Sequence, residues 1–476
     1  MTALAAGAAA VPASSAAPPA PQSPAAARRR LLLEGPIGTT LLRLSAPNLV
    51  VNVVLITVST SIDAHFVGRL GPEALAGLAL VFPLMMLMQQ MANFSMGGAI
   101  ASAVARAIGA NRREDAASLA LHGVLIATVI AAAFTAALLL GGPALYRWMG
   151  GQGAILAAAI EYSNAIFAGA LAYWVLGALT SVIRGTGQVA VLALVYVAAE
   201  ILHLALVPLL VFGLGPIPAL GVTGAGLATV LSFTASSAML AAYLLAGRSA
   251  LRLPAGGIRL ERKLFGEILR TGVPVSLQPI LNNASLALLT FYAGMLGAPA
   301  LAGFGAAVRL EYLMYPLVFG LGATVVSMVG TNVGAGQLDR AIRVAWTAAG
   351  FALAVTGAVG LAAVLVPGMW IGFFTTAPDV TERAAAYLVI AALGYPAIGM
   401  NTLIAAFQAV GLTFWPMVGV AGRTAVIALG GWIAVAMTDS GITGLAVVTA
   451  LGLAVAGTVN ALAFWRCMRR EQEIKR

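Results

Sequence analysis

Three titratable side chains stand inside stretches that are otherwise apolar: Asp63 in SIDAHFVGRLG, and Glu200 and His203 in EILHLALVPLLVFG. A carboxylate withdrawn from water is costly, so it is kept where it faces a cavity or a partner, and it then changes protonation near neutral pH. Glu200 and His203 are three residues apart, hence on one helical face, and imidazole titrates near neutrality. The three together can take up and release protons. Plainer readings stand beside this one: Asp63 solvated near a surface and paired with Arg69, or a Glu200–His203 hydrogen bond that neutralises both. One Glu and one His are too few ligands for a metal, and Cys467 is the only cysteine, so no internal disulfide forms. There is no Walker A loop, no H-E-x-x-H and no paired-aspartate motif, so nothing calls for an enzyme or a cofactor.

The elements that position these groups are membrane-spanning helices. The chain has 476 residues, 61% hydrophobic and 9% charged, with a mean hydropathy of +0.97. A soluble protein carries roughly a quarter charged residues. Apolar stretches of about twenty residues recur along the chain, each long enough to cross a bilayer core of roughly 30 Å as a helix. The short alternating segments of a β-barrel are absent. The net charge of +10 does not point to nucleic acid, because most arginines flank apolar segments as a topology signal requires. Twelve spans are predicted, from 42–67 to 442–465. Arg106, Arg112, Arg113, Arg184, Arg340, Arg343, Arg423 and the tail arginines fall on one side. Arg69, Arg147 and Arg383 fall on the other. The rule of positive charge inside then places both termini in the cytoplasm.

The chain repeats itself. LLRLSAP (41–47) returns as ILRTGVP (268–274), and LGPEALAGL (70–78) as LGAPALAGF (296–304). AIGANRREDA (107–116) returns as NVGAGQLDRA (332–341), and GVTGAGLAT (221–229) as GITGLAVVT (441–449). Collinear pairs exceed what helix-end Gly and Pro punctuation produces. The expected fold is all-α, two six-helix bundles related by a parallel repeat. The N-terminal lobe covers 41–247, a cytoplasmic linker 248–265 and the C-terminal lobe 266–468. The Ala/Pro/Ser-rich residues 1–40 are expected to be a disordered tail, and 469–476 a short cytoplasmic tail.

Asn48, Asn52, Ser59 and Asp63 share one face of the first span, and Gln278, Asn282, Ser285 and Tyr292 one face of the seventh. Asn48, Asn52, Ser59, Gln278, Asn282 and Tyr292 are therefore expected to line a cavity between the lobes. PLMMLMQQMANF adds Met and Gln, which suit a forgiving pocket. Tyr173 and Trp174 offer aromatic faces for a ligand or for the membrane interface. Arg309 and Glu311, two apart, do not face each other and are expected to pair with other helices.

Motifs in this order resemble the multidrug and toxic compound extrusion (MATE) family: SIDAHFVGRLG after the first span, IRGTGQ after the fourth, GVTGAGLAT opening the sixth, and GFGAAVRLEYLMYPLVFGLGATVVSMVGTNVGAGQ in the second half. The resemblance runs from about Arg43 to Arg466. It implies a monomeric antiporter of a bacterial inner membrane that exports amphipathic, often cationic, organic compounds for protons or sodium ions. It also implies that Asp63 is a coupling residue. The family's fifth-span Asp falls at Val207 and its Asn at His203, so Asp63, Glu200 and His203 are the expected coupling set and protons the favoured ion. A sodium-coupled exporter and a lipid-linked sugar flippase are the alternatives. A flippase cavity should be rich in Arg and Lys, whereas Arg309 is the one cation expected in a span interior.

Overall fold

The computed structural model describes residues 24–247, 251, 260–438 and 440–475; the side chains of 24–27, 47–61, 189, 474 and 475 fall outside the description. Among the described residues the protein is helical, and its long segments number twelve. In the first half they are Ile37–Gly68, Pro72–Gly109, Arg113–Trp148, the pair Gly153–Ala168 and Ala170–Gly185, Val189–Phe212 and Gly221–Leu245. In the second they are Arg262–Met295, Ala298–Gly334, Leu338–Leu365, Pro378–Val410, Phe414–Met437 and Gly441–Lys475. They are called spans 1 to 12 below.

The repeat is visible in how spans begin. Gly71, at φ 125°, turns the chain into span 2 at Pro72, and Gly297, at φ 94°, does the same ahead of span 8 and Pro299. Both sites combine a backbone conformation that L side chains resist with a proline that pre-forms the first helical turn. Spans are interrupted where they meet the centre. Span 2 loosens into a π turn at Met91–Ser95, and span 10 breaks through Ala392–Gly394 and Met400–Asn401. Span 4 bends by 47° at Gly169. Such turns release carbonyls that side chains must satisfy, and they occur often at functional sites.

One apolar core fills the first lobe from Ile62 onward and takes in Leu264 and Ile268 of span 7, and another fills the second lobe from Leu289 to Leu453. The lobes join at the end that carries the arginine-rich connections. There spans 2 and 8 cross so closely that a Cβ on Gly109 would lie 2.1 Å from the Thr331 oxygen, and one on Gly334 2.0 Å from the Arg106 oxygen. These glycines are counterparts in the repeat, so the pseudo-twofold axis runs between them. Further along the same helices Phe94 and Phe319 stack, ring centroids 4.4 Å apart at 20°. Arg106 braces the junction, donating to the Ala409 oxygen at 2.9 Å and pairing with Glu267 at 2.9 Å. Ser45 donates to Thr324 at 3.0 Å. Toward the other end spans 2 and 7 diverge, leaving a crevice of about 810 Å³ beside Pro83, Leu286 and Phe291.

The expected disordered tail is corrected from residue 24 onward: Pro24–Glu34 is a helix. Its Leu32 is buried. Arg29 donates to the Gly109 oxygen at 2.8 Å, and the Leu32 oxygen accepts from Asn332 Nδ2 at 3.0 Å. Arg340 reaches the Gly35 carbonyl. This helix lies across the junction and touches both lobes.

Any side chain at Gly334 must push spans 2 and 8 apart, because the atom it meets is backbone. In a variant whose Cys467 is replaced, spin labels at Arg113 and Gln337, both exposed, should move several ångströms further apart on Gly334→Val. An unchanged distance distribution would show that the crossing tolerates a Cβ.

Candidate functional site

Four helices of the first lobe converge on His203. Its Nε2 lies 3.2 Å from Asp63 Oδ1 on span 1, an ion-pair distance, and its Nδ1 lies 3.8 Å from Glu200 Oε2 one turn away on span 5. Tyr162 of span 4 donates to Asp63 Oδ2 at 3.2 Å, and Thr229 of span 6 sits 3.2 Å from His203 Nε2. Asp63 is 5% exposed and His203 3%. Val207, the position of the family's second Asp, is fully buried one turn beyond His203. The imidazole stands between two carboxylates. A buried imidazole in this setting is held by charge if protonated, and by single hydrogen bonds if neutral. The cluster fastens span 1 to spans 4, 5 and 6. Among the described residues no three His, Cys, Asp or Glu side chains meet closely enough to hold a metal ion.

The second feature is a cavity between the lobes, beside the Phe94–Phe319 pair, with about 100 Å³ of open space. Gln278 and Asn282 of span 7 face it, with Arg184 of span 4, Tyr315 of span 8, Gln408 of span 10 and Arg423 of span 11. Its volume is below the few hundred Å³ that hold a drug-sized molecule, so a cargo of that size needs the lobes to part. Arg423 donates to Glu311 at 2.7 Å and to the Tyr315 hydroxyl at 2.7 Å, and Tyr315 donates to the same carboxylate at 3.1 Å. Arg184 donates to the Asn93 carbonyl of the π turn at 3.2 Å and lies 5.9 Å from the centre of the Phe94 ring.

The structure brings Asp63, Glu200 and His203 together and places Gln278 and Asn282 on the cavity wall. The side chains of Asn48, Asn52 and Ser59 lie outside the described residues. Tyr292 is corrected: it is packed in the core of the second lobe, its hydroxyl donating to the Ala428 oxygen at 2.7 Å, and it does not line the cavity. Tyr173 and Trp174 are likewise buried, Tyr173 accepting from Asn93 Nδ2 at 2.5 Å and packing edge-on to Phe233. Glu311 pairs across helices as expected, with Arg423, while Arg309 lies over the Phe374 ring at 5.0 Å, away from the cavity. Two cavity-lining residues were not expected from the sequence. Arg184 and Arg423, expected in connections, stand at the cavity, each 7% exposed. With them falls the argument against a flippase from lack of cavity cations. The IRGTGQ motif held the signal for Arg184, and the place of Arg423 within the apolar run MVGVAGRTAVIALGG held the other.

Glu311→Gln should strand a buried guanidinium and lower stability by about 3–5 kcal/mol. Adding Arg423→Met should recover part of the thermal midpoint, as read by a melting curve in detergent. A single variant that melts like the parent would mean that the pair is not a structural tie.

A family model described as MatE matches the chain twice, at residues 49–209 and 274–433, once per lobe. A protein of Shewanella oneidensis named "FAD transporter" is 27% identical over 79% of this chain and 82% of its own length. A "Probable multidrug resistance protein NorM" of Thermotoga maritima is 25% identical over 79% and 81%. A solved structure reported as "Outward-facing conformation of a multidrug resistance MATE family transporter of the MOP superfamily" superposes with a TM-score of 0.81 at 25% identity, covering 93% of this chain and 98% of that one. Another, reported as "Reverse polarity of binding pocket suggests different function of a MOP superfamily transporter from Pyrococcus furiosus", gives 0.82 at 25% identity, covering 92% and 97%. With the family model matching both copies of the repeat and the twelve-helix fold shared along nearly the whole length, the chain belongs to the MatE family, the multidrug and toxic compound extrusion transporters.

Proposed function

We propose that the protein is a proton-coupled antiporter that exports amphipathic organic compounds from a bacterial cytoplasm, with both termini on the cytoplasmic side. The observation that carries the reading is the buried Asp63–His203–Glu200 cluster, which sits in the first lobe and contributes none of its residues to the cavity wall. Cargo and proton then have separate places, coupled through the helices between them. Span 1 links them. Near one end it carries Asp63, and near the other it carries Ser45, which reaches Thr324 in the second lobe at the closed junction. A proton added to Asp63 removes its attraction for a charged His203, and the refastened span acts on the contact that holds the lobes shut.

An imidazole nitrogen at the centre supports protons over sodium, because a hard cation selects oxygen ligands. The closed arginine-rich end and the crevice toward the opposite end support an outward-facing state with the arginine-rich end in the cytoplasm. The relatives named for multidrug resistance and for FAD support an organic, aromatic cargo.

In proteoliposomes without sodium, an imposed pH gradient should drive substrate movement. Asp63→Asn and His203→Gln should each abolish it while leaving a monodisperse protein. Movement driven only by a sodium gradient would overturn proton coupling, and normal efflux by Asp63→Asn would return the cluster to a packing role.

A further inference from the structure

We propose that the central cavity takes a planar aromatic compound bearing an acidic group, a carboxylate or phosphate, whose charge Arg184 neutralises; this rests on the antiporter reading of the same cavity. Without a ligand the charge of Arg184 is not balanced. Among the described residues the cavity wall holds two guanidiniums, Arg184 and Arg423, and no carboxylate. Glu311 stands just behind the wall and is engaged by Arg423 at 2.7 Å, and Glu267, nearer the closed junction, is engaged by Arg106 at 2.9 Å. Among the described residues no acid lies within ion-pair distance of Arg184. A buried arginine without an acid is costly.

Structure alone does not require that charge. Arg184 stands three residues before Gly187, at φ 77°, and Gln408 three before Gly411, at φ 79°, so the two occupy the same place in the two copies. Both serve the π turn of span 2: Arg184 donates to the Asn93 oxygen at 3.2 Å, and Gln408 Nε2 donates to the Phe94 oxygen at 3.1 Å. The second copy does this work with an uncharged amide. What the first copy adds is a positive charge facing the cavity.

The rest of the wall fits an anion with an aromatic body. On the cavity wall, among the described residues, the buried nitrogens without a hydrogen-bond partner are Nε of Arg184, Nε of Arg423 and Nε2 of Gln278, alongside the oxygens Asn93 Oδ1 and Thr402 Oγ1. Guanidinium donors bind carboxylate and phosphate through short charge-assisted bonds. The Phe94–Phe319 stack, which also lines the cavity, supplies flat apolar surface for a ring system. A cationic cargo would meet like charge there instead.

Two planar dyes of opposite sign test this: fluorescein, an anion at pH 7.5, and ethidium, a cation, each titrated with the full-length protein in detergent by fluorescence polarisation. Fluorescein should bind the parent more tightly than ethidium. Arg184→Gln, which installs the side chain that the repeat already uses at this place, should weaken fluorescein about tenfold or more and leave ethidium unweakened, and Arg184→Lys should keep most of the fluorescein affinity. Ethidium binding as tightly as fluorescein to the parent would overturn the proposal without any variant, and an Arg184→Gln protein that binds fluorescein like the parent would overturn it too. Ethidium moved by a pH gradient, with fluorescein unbound, would leave the antiporter standing and remove the acidic cargo.

Discussion

Two backbones touching at Gly109 and Gly334 set the geometry of everything else. Helices normally keep their axes 8–10 Å apart because side chains intervene. Here, with no Cβ on either helix, carbonyl oxygens take the place of side chains. The contact fixes the pseudo-twofold axis and closes one end of the molecule. It leaves the cavity further up the same helices, where the rings of Phe94 and Phe319 keep the backbones apart. The polar ties around it, Arg106 to Glu267 and to the Ala409 oxygen, add direction to a junction whose closeness the glycines permit.

The lobes share an architecture and divide the chemistry. In the first, a buried imidazole lies between two carboxylates. In the second, Glu311 is held by Arg423, and arginine is always charged near neutrality, so this pair is a fixed tie. The titratable cluster thus lies in one lobe and the fixed ion pair in the other, and span 1 has contacts in both.

Much of this was legible in the sequence. Hydropathy, arginine placement and collinear repeats are strong signals because a bilayer imposes length and polarity on every span. The grouping of Asp63, Glu200 and His203 was legible because charges in apolar runs are expensive enough to need one another. What was not legible depends on bends. Arg184 and Arg423 sit near helix ends or between small residues, where a long side chain either reaches solvent or folds inward, and only the tilt and breaks of spans 2, 4 and 10 decide which. Tyr292 shows the limit of face counting. It shares a stripe with Gln278 and Asn282, yet the prolines at 274 and 279 lie within span 7, and its ring is packed against Gly431 of span 11.

Phe94 and Phe319 meet on the axis, each touching its own counterpart. That is the contact pattern of an isologous dimer, in which a residue packs against a second copy of itself. A six-helix half present twice as separate chains would have made the same ring stack and the same glycine crossing. Off the axis no such pairing ties the halves together, and there they differ, one holding the Asp63–His203–Glu200 cluster and the other the Glu311–Arg423 ion pair. On it, a change in either half is felt immediately by both.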